Sequence, residues 1–141
     1  MSVASPRPAM EYDAGSRITA CPTYLRVDFG NCDRIELSET YRSFVDLCLC
    51  TRVCHALLQA GDNEPEAHRQ LSEVLSAVAR TAAIPPDFKL ALVPSTPPIE
   101  AVYREAQQAL RAIGLNTWVF GTVPEAVEWL EGRAVRGRMA S

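Results

Sequence analysis

"ALRAIGLNTWVFGTVPEAVEWLEG", residues 109–132, reads as the end of one helix, a short strand and a complete second helix. The helix begins upstream, in "PPIEAVYREAQQALRAIG" (97–114), where Val102, Tyr103, Ala106, Leu110 and Ile113 share one face at helical spacing. Gly114 is its predicted stop, since a residue without Cβ takes up the left-handed turn that ends a helix. "NTWVFG" (116–121) is the strand. Thr122 and Glu125 have capping-box spacing, and Ala126, Trp129 and Leu130 are left to pack the closing helix.

The same alternation continues toward the N-terminus. "KLALVPS" (89–95) is a nearly continuous apolar run, the mark of a strand covered on both faces. "DNEPEAHRQLSEVLSAVAR" (62–80) predicts a helix capped by Asn63, with Pro65 in its first turn, Glu66 placed for a capping box, and a stripe of Leu71, Val74, Leu75 and Val78. "HALLQA" (55–60) is a strand. "LSETYRSFVDLCLCTR" (37–52) predicts a helix capped by Ser38, with Tyr41, Phe44, Val45 and Cys48 on its buried face. "RITACPTYLRVDFG" (17–30) reads as two strands about a Pro22-Thr23 turn, because Leu25, Val27 and Phe29 alternate with Tyr24, Arg26 and Asp28. The expected fold is therefore α/β: a mostly parallel sheet of about five strands with an N-terminal antiparallel hairpin strand, flanked by about four helices and wound with right-handed crossovers. Residues 1–15, rich in Ser and Pro, read as a flexible leader, 16–132 as the domain, and 133–141 as a flexible Arg-containing tail.

At 141 residues the chain has the length of one domain, enough to bury a core without disulfides or metal. A net charge of −3 argues against nucleic acid or an anionic membrane as partner; Arg133, Arg136 and Arg138 in the tail are too few to reverse that. There is no apolar run of membrane-spanning length and no secretory signal, which points to a cytoplasmic protein with reduced thiols. Lys89 is the only lysine, so Schiff-base chemistry would have to use it.

"LCLCTRVCHALLQAGDNEPEAH" (47–68) gathers Cys48, Cys50, Cys54, His55 and His68. A structural zinc site shows paired ligands in two separated clusters. Here the second cluster is missing, and helical residues two apart point about 200° from each other. Cys48 also falls beside Phe44, where a small hydrophobe serves packing. Neither histidine is tied to a cysteine by a nucleophile motif. Packing is thus the expected role, with no metal, no cofactor and no catalytic residue. A receiver-type switch fails as well: Asp62 is suitably placed, but Val123-Pro124 stand where a lysine is needed.

Open alternating sheets bind at the carboxyl ends of their strands. Those ends are 60–63, 94–98 and 121–124. Asp62 and Asn63 in the first, and Ser95 and Thr96 in the second, are the candidate partner- or ligand-binding residues, with Ser95 and Thr96 placed to hold an anion on free backbone amides. Capping competes for Thr96 and Thr122, and turn formation for Asp62 and Asn63.

The order of elements, with "TYLRVDFG", "HALLQAGD", "KLALVPS" and above all the closing "ALRAIGLNTWVFGTVPEAVEWLEG", resembles the STAS-like domains, in particular the bacterial SpoIIAA-like group, over about residues 17–132. The resemblance implies a small regulatory module that works by binding a protein. In that group a Ser or Thr after the third strand is phosphorylated by a partner kinase; "QAGDNEPEAH" has no hydroxyl there, and Asp62 is left to imitate a standing negative charge. The expectation is a non-catalytic protein-interaction module whose working surface is the strand-exit loops and the exposed face of the 63–80 helix. The alternative is a carrier of a small apolar, lipid-like ligand, which requires an open apolar cavity. An enzyme would bring polar side chains together in a cleft.

Overall fold

A computed structural model describes residues 17–51, 55–80 and 87–132, with the side chains of 49–51, 78 and 80 left out. The leader, the arginine tail, Val78, Cys50 and Cys54 of the expectations lie outside the described residues or side chains. Five strands, β1 (Ile18–Ala20), β2 (Leu25–Asp28), β3 (His55–Gln59), β4 (Lys89–Val93) and β5 (Asn116–Val119), alternate from β2 onward with four helices: α1 (Arg34–Thr51), α2 (Gln70–Arg80), α3 (Pro97–Ala112) and α4 (Val123–Glu131). β1 pairs antiparallel with β2 through a turn closed by Cys21 N–H on the Tyr24 carbonyl (2.8 Å), and all other pairs are parallel. The expected architecture is present.

The strands lie side by side in sequence order, β1-β2-β3-β4-β5. Right-handed crossovers between strands laid down in that order put every crossover helix on one side of the sheet. The packing agrees. Leu37, Tyr41 and Phe44 of α1, Leu71 and Leu75 of α2, and Ile99, Tyr103 and Leu110 of α3 share one core with Leu25, Val27, Ala56, Leu58, Leu90 and Leu92. The opposite face is covered by α4, whose Ala126, Trp129 and Leu130 bury Leu57, Ala91 and Val93. Both faces of β3 and β4 are therefore apolar, which is why "HALLQ" and "KLALV" do not alternate.

Local chemistry explains the boundaries, with three corrections. Helix α1 starts a turn before Ser38. Asp33 and Glu36 form a reciprocal capping box, Glu36 N–H to Asp33 Oδ1 at 2.8 Å and Asp33 N–H to Glu36 Oε1 at 3.1 Å. Ser38 instead sits within the helix and accepts from Gln70 Nε2 at 3.2 Å. The 63–80 segment is not one helix: a 3-10 turn, Pro65–Arg69, precedes α2, and Asn63 caps neither. Ile113, assigned to the buried face of α3, is 47% exposed because the helix has already ended there; Gly114, at φ +95°, turns the chain out. Thr96 and Thr122 cap α3 and α4, accepting from Ile99 N–H (3.5 Å) and Glu125 N–H (3.3 Å). Helix α4 has no basic residue in its last turn. Lys89 on β4 supplies the charge, its Nζ donating to the Trp129 carbonyl at 3.2 Å and lying 5.2 Å from the indole centre. The only lysine thus has a structural position.

Candidate functional site

The exit loops of β2 (Phe29–Cys32) and β3 (Ala60–Glu64), next to that of β4 (Pro94–Thr96), form one braced rim. The parallel ladder runs one step past the strands, with Phe29 N–H on the Gln59 carbonyl (3.0 Å) and Ala60 N–H on the Val93 carbonyl (2.9 Å). Gly30 O then accepts Asp62 N–H at 2.9 Å and Asn63 Nδ2 at 3.0 Å, and Cys32 O accepts Asn63 Nδ2 at 3.4 Å. Gly61 N–H turns back onto Asn63 Oδ1 at 2.8 Å, while Ser95 Oγ donates to Gly61 O at 2.7 Å. Asn63 is the centre of the brace: its short amide bonds main-chain groups of both loops.

Beneath the rim lies a wholly buried imidazole. His68, in the 3-10 turn, stands among Phe29, Tyr41 and Tyr103, with ring centres 5.0, 5.8 and 5.2 Å away and near-perpendicular contacts. Its Nδ1 is 2.8 Å from Tyr41 Oη and 3.4 Å from Tyr103 Oη, and its Nε2 is 3.1 Å from Asn63 Oδ1. The amide orientation fixes the tautomer. Asn63 Nδ2 is committed to two carbonyls, so Oδ1 must accept from His68 Nε2–H, and Nδ1 accepts from the Tyr41 hydroxyl. Burial holds the imidazole pKa down to about 4 and pushes both phenols well up, so that neither ionises at neutral pH. The sequence carried a signal for this group. His68 precedes Leu71 and Leu75 at the spacing of the buried stripe, and two tyrosines on apolar helix faces require partners for their hydroxyls.

Of the four candidate residues, Asp62 is exposed on the rim, and Asn63 is half-buried with its amide turned inward. Ser95 and Thr96 are exposed, but their hydroxyls bond the Gly61 carbonyl and the Ile99 amide. The free amides expected at the start of α3 are not there. Pro97 and Pro98 carry no N–H, Ile99 N–H is capped, and Glu100 N–H binds the Thr96 carbonyl at 2.9 Å.

The surface beside the rim is charged with both signs. Arg34 pairs with Glu64 at 2.9 Å, Arg69 bridges Glu66 and Glu105, and Arg104 holds Glu100 at 3.0 Å. These exposed pairs contribute little to stability, on the order of 0–1 kcal/mol each. Two shallow grooves flank the rim, one of about 200 Å³ against Pro94, Pro97, Glu100, Arg104 and Phe120, the other of about 280 Å³ against Arg34, Ser38, Glu66, Arg69 and Glu73.

The thiols bear on the packing reading. Cys32 and Cys48 are each 4% exposed, burial raising the pKa of the first and pushing that of the second up to about 12. Neither is a thiolate at neutral pH, and a thiol is a poor nucleophile. In the native protein a maleimide reagent at neutral pH should leave both unmodified, and in denaturant both should react; peptide-resolved mass spectrometry checks this. Among the described residues no group of three or more His, Cys, Asp or Glu side chains is placed to hold a metal ion, and no described helix is long and apolar enough to cross a membrane. Comparison with protein-family models and with curated proteins gives no match.

Proposed function

We propose that the chain is a non-catalytic protein-interaction or regulatory module of STAS-like type, bacterial and cytoplasmic, that binds its partner with the exit-loop rim. The observation that carries this reading is Asp62: an exposed carboxylate on a loop braced from within by Asn63, followed along the chain by the surface ion pairs Arg34–Glu64 and Arg69–Glu66. A rigid carboxylate in a field of mixed charge suits recognition of a complementary protein surface, where charge placement sets specificity and encounter rate. The hairpin followed by strictly alternating elements supports the family resemblance. The carrier reading draws no support from the two rim grooves, whose linings include Glu and Arg side chains.

Asp62→Arg combined with Glu64→Arg tests the proposal. Quantitative affinity capture from a bacterial lysate should retain a partner on the wild-type chain and lose it at least about tenfold on the variant, equivalent to about 1.4 kcal/mol, with the thermal midpoint unchanged. Equal retention by both proteins, or no specific retention by either, overturns it.

A further inference from the structure

Every wall of the cage around His68 but one is regular structure or packed directly on it. Phe29 directly follows β2, its N–H still in the ladder on the Gln59 carbonyl, while Tyr41 comes from α1 and Tyr103 from α3; the remaining wall is Asn63, on the β3 exit loop. That side chain is also what ties the β3 loop to the β2 loop, through the Gly30 and Cys32 carbonyls. One ring therefore joins two exit loops to two helices. We propose that His68 is a latch: the neutral ring holds the exit loop of β3 closed against that of β2 and the helix layer, and gaining a proton releases the β3 loop while the sheet and helices stay folded.

The physical case rests on what the cage offers a cation. From α1 it presents the Tyr41 phenol, from α3 the Tyr103 phenol, from the residue after β2 the Phe29 ring, and from the β3 exit loop the neutral Asn63 amide. Among the described residues no carboxylate bonds the imidazole. The carboxylates on and beside these loops are engaged elsewhere or face solvent: Asp28, at the end of β2, accepts from Gly30 N–H at 3.1 Å, Glu64 pairs with Arg34, and Asp62 is exposed. A buried charge without a counter-charge is relieved by the cheapest route to water. Displacing α1 or α3 would expose Leu37, Phe44, Ile99 and Leu110, all wholly buried, whereas moving residues 60–64 exposes the small Ala60 and breaks a handful of rim hydrogen bonds. Local openings of this kind lie at the low end of a protein's stability range. Burial already resists the proton, holding the pKa down to about 4.

The latch concerns the surface assigned to partner binding but is tested without a partner, so the two readings stand or fall separately. NMR would follow the His68 ring signals and amide protection factors from neutral pH to below the ring's midpoint. Protection at Gly61 and Asp62 should fall at least about tenfold with the same midpoint as the ring, while Leu57, Leu58 and Leu90 to Leu92 stay protected. His68→Gln keeps a donor and an acceptor but does not titrate. It should abolish the step, which ties the opening to His68 itself. Three results overturn the proposal: loop protection that survives ring protonation, strand amides that open together with the loop, or the same step in His68→Gln. Should that variant not fold, coincidence or separation of the ring and loop midpoints in the wild type decides alone.

Discussion

Gly61→Ala is expected to destabilise the fold by about 3 kcal/mol, at the upper end of what overpacking a tight site costs. A Cβ built at this position lies 1.9 Å from the Gly30 carbonyl oxygen and 2.6 Å from its carbon. Both are main-chain atoms, so no side-chain rotamer relieves the clash. Residue 61 is also the point where three braces meet: its N–H reaches Asn63 Oδ1, its carbonyl takes the Ser95 hydroxyl, and the next amide, from Asp62, binds Gly30 O. Separating the β2 and β3 loops enough for a methyl group breaks these together. Urea unfolding of the wild type and the variant measures the difference. A loss under about 1 kcal/mol would mean that the two loops part easily, against the rigid rim described above.

The second large effect is the dependence of stability on pH. The folded protein holds the His68 pKa at about 4, below the ordinary value of 6.5, so the unfolded chain binds the proton more readily. The sign follows: the stabilisation is fully present above pH 6.5 and is lost as pH falls toward 4. With about 1.4 kcal/mol per pH unit, the loss from this one group approaches about 3 kcal/mol, less whatever opening of the loop recovers by letting the charged ring meet water. His68→Leu should remove that dependence while costing about 2 kcal/mol at neutral pH, because the Tyr41 hydroxyl and the Asn63 carbonyl lose their buried partner. Urea midpoints at a series of pH values for both proteins check the slope. Parallel profiles would mean that other groups dominate the acid response.

The architecture was legible because each element declares itself locally. Leu25 and Val27 alternate, "HALLQ" and "KLALV" do not, and threonines mark the starts of α3 and α4. Errors fell where a tertiary partner outbids a local preference. Ser38 is a plausible cap, but Asp33 and Glu36 close a reciprocal pair a turn earlier. Asn63 has the composition of a cap, but two carbonyls of another loop and a buried imidazole claim its amide. The rim was legible as a set of strand ends. The cage beneath it was not, since Tyr41, His68 and Tyr103 stand 27 and 35 residues apart and meet only when α1 and α3 flank the same turn. Pro97 and Pro98, by contrast, are legible in the sequence as positions without an N–H.

The sequence-ordered sheet also bears on how the chain acquires its structure. Each strand's hydrogen-bonding neighbour is the strand next to it along the chain, so no pairing has to wait for a distant segment. Loop closure between neighbours spans one helix, and its entropy grows only slowly with length. A topology of this kind has short-range contacts for an α/β fold, a property that goes with fast folding. As the polypeptide emerges, the β1-β2 hairpin can form first, β3 can dock on β2 once α1 has been made, and each later unit adds to an edge that already exists.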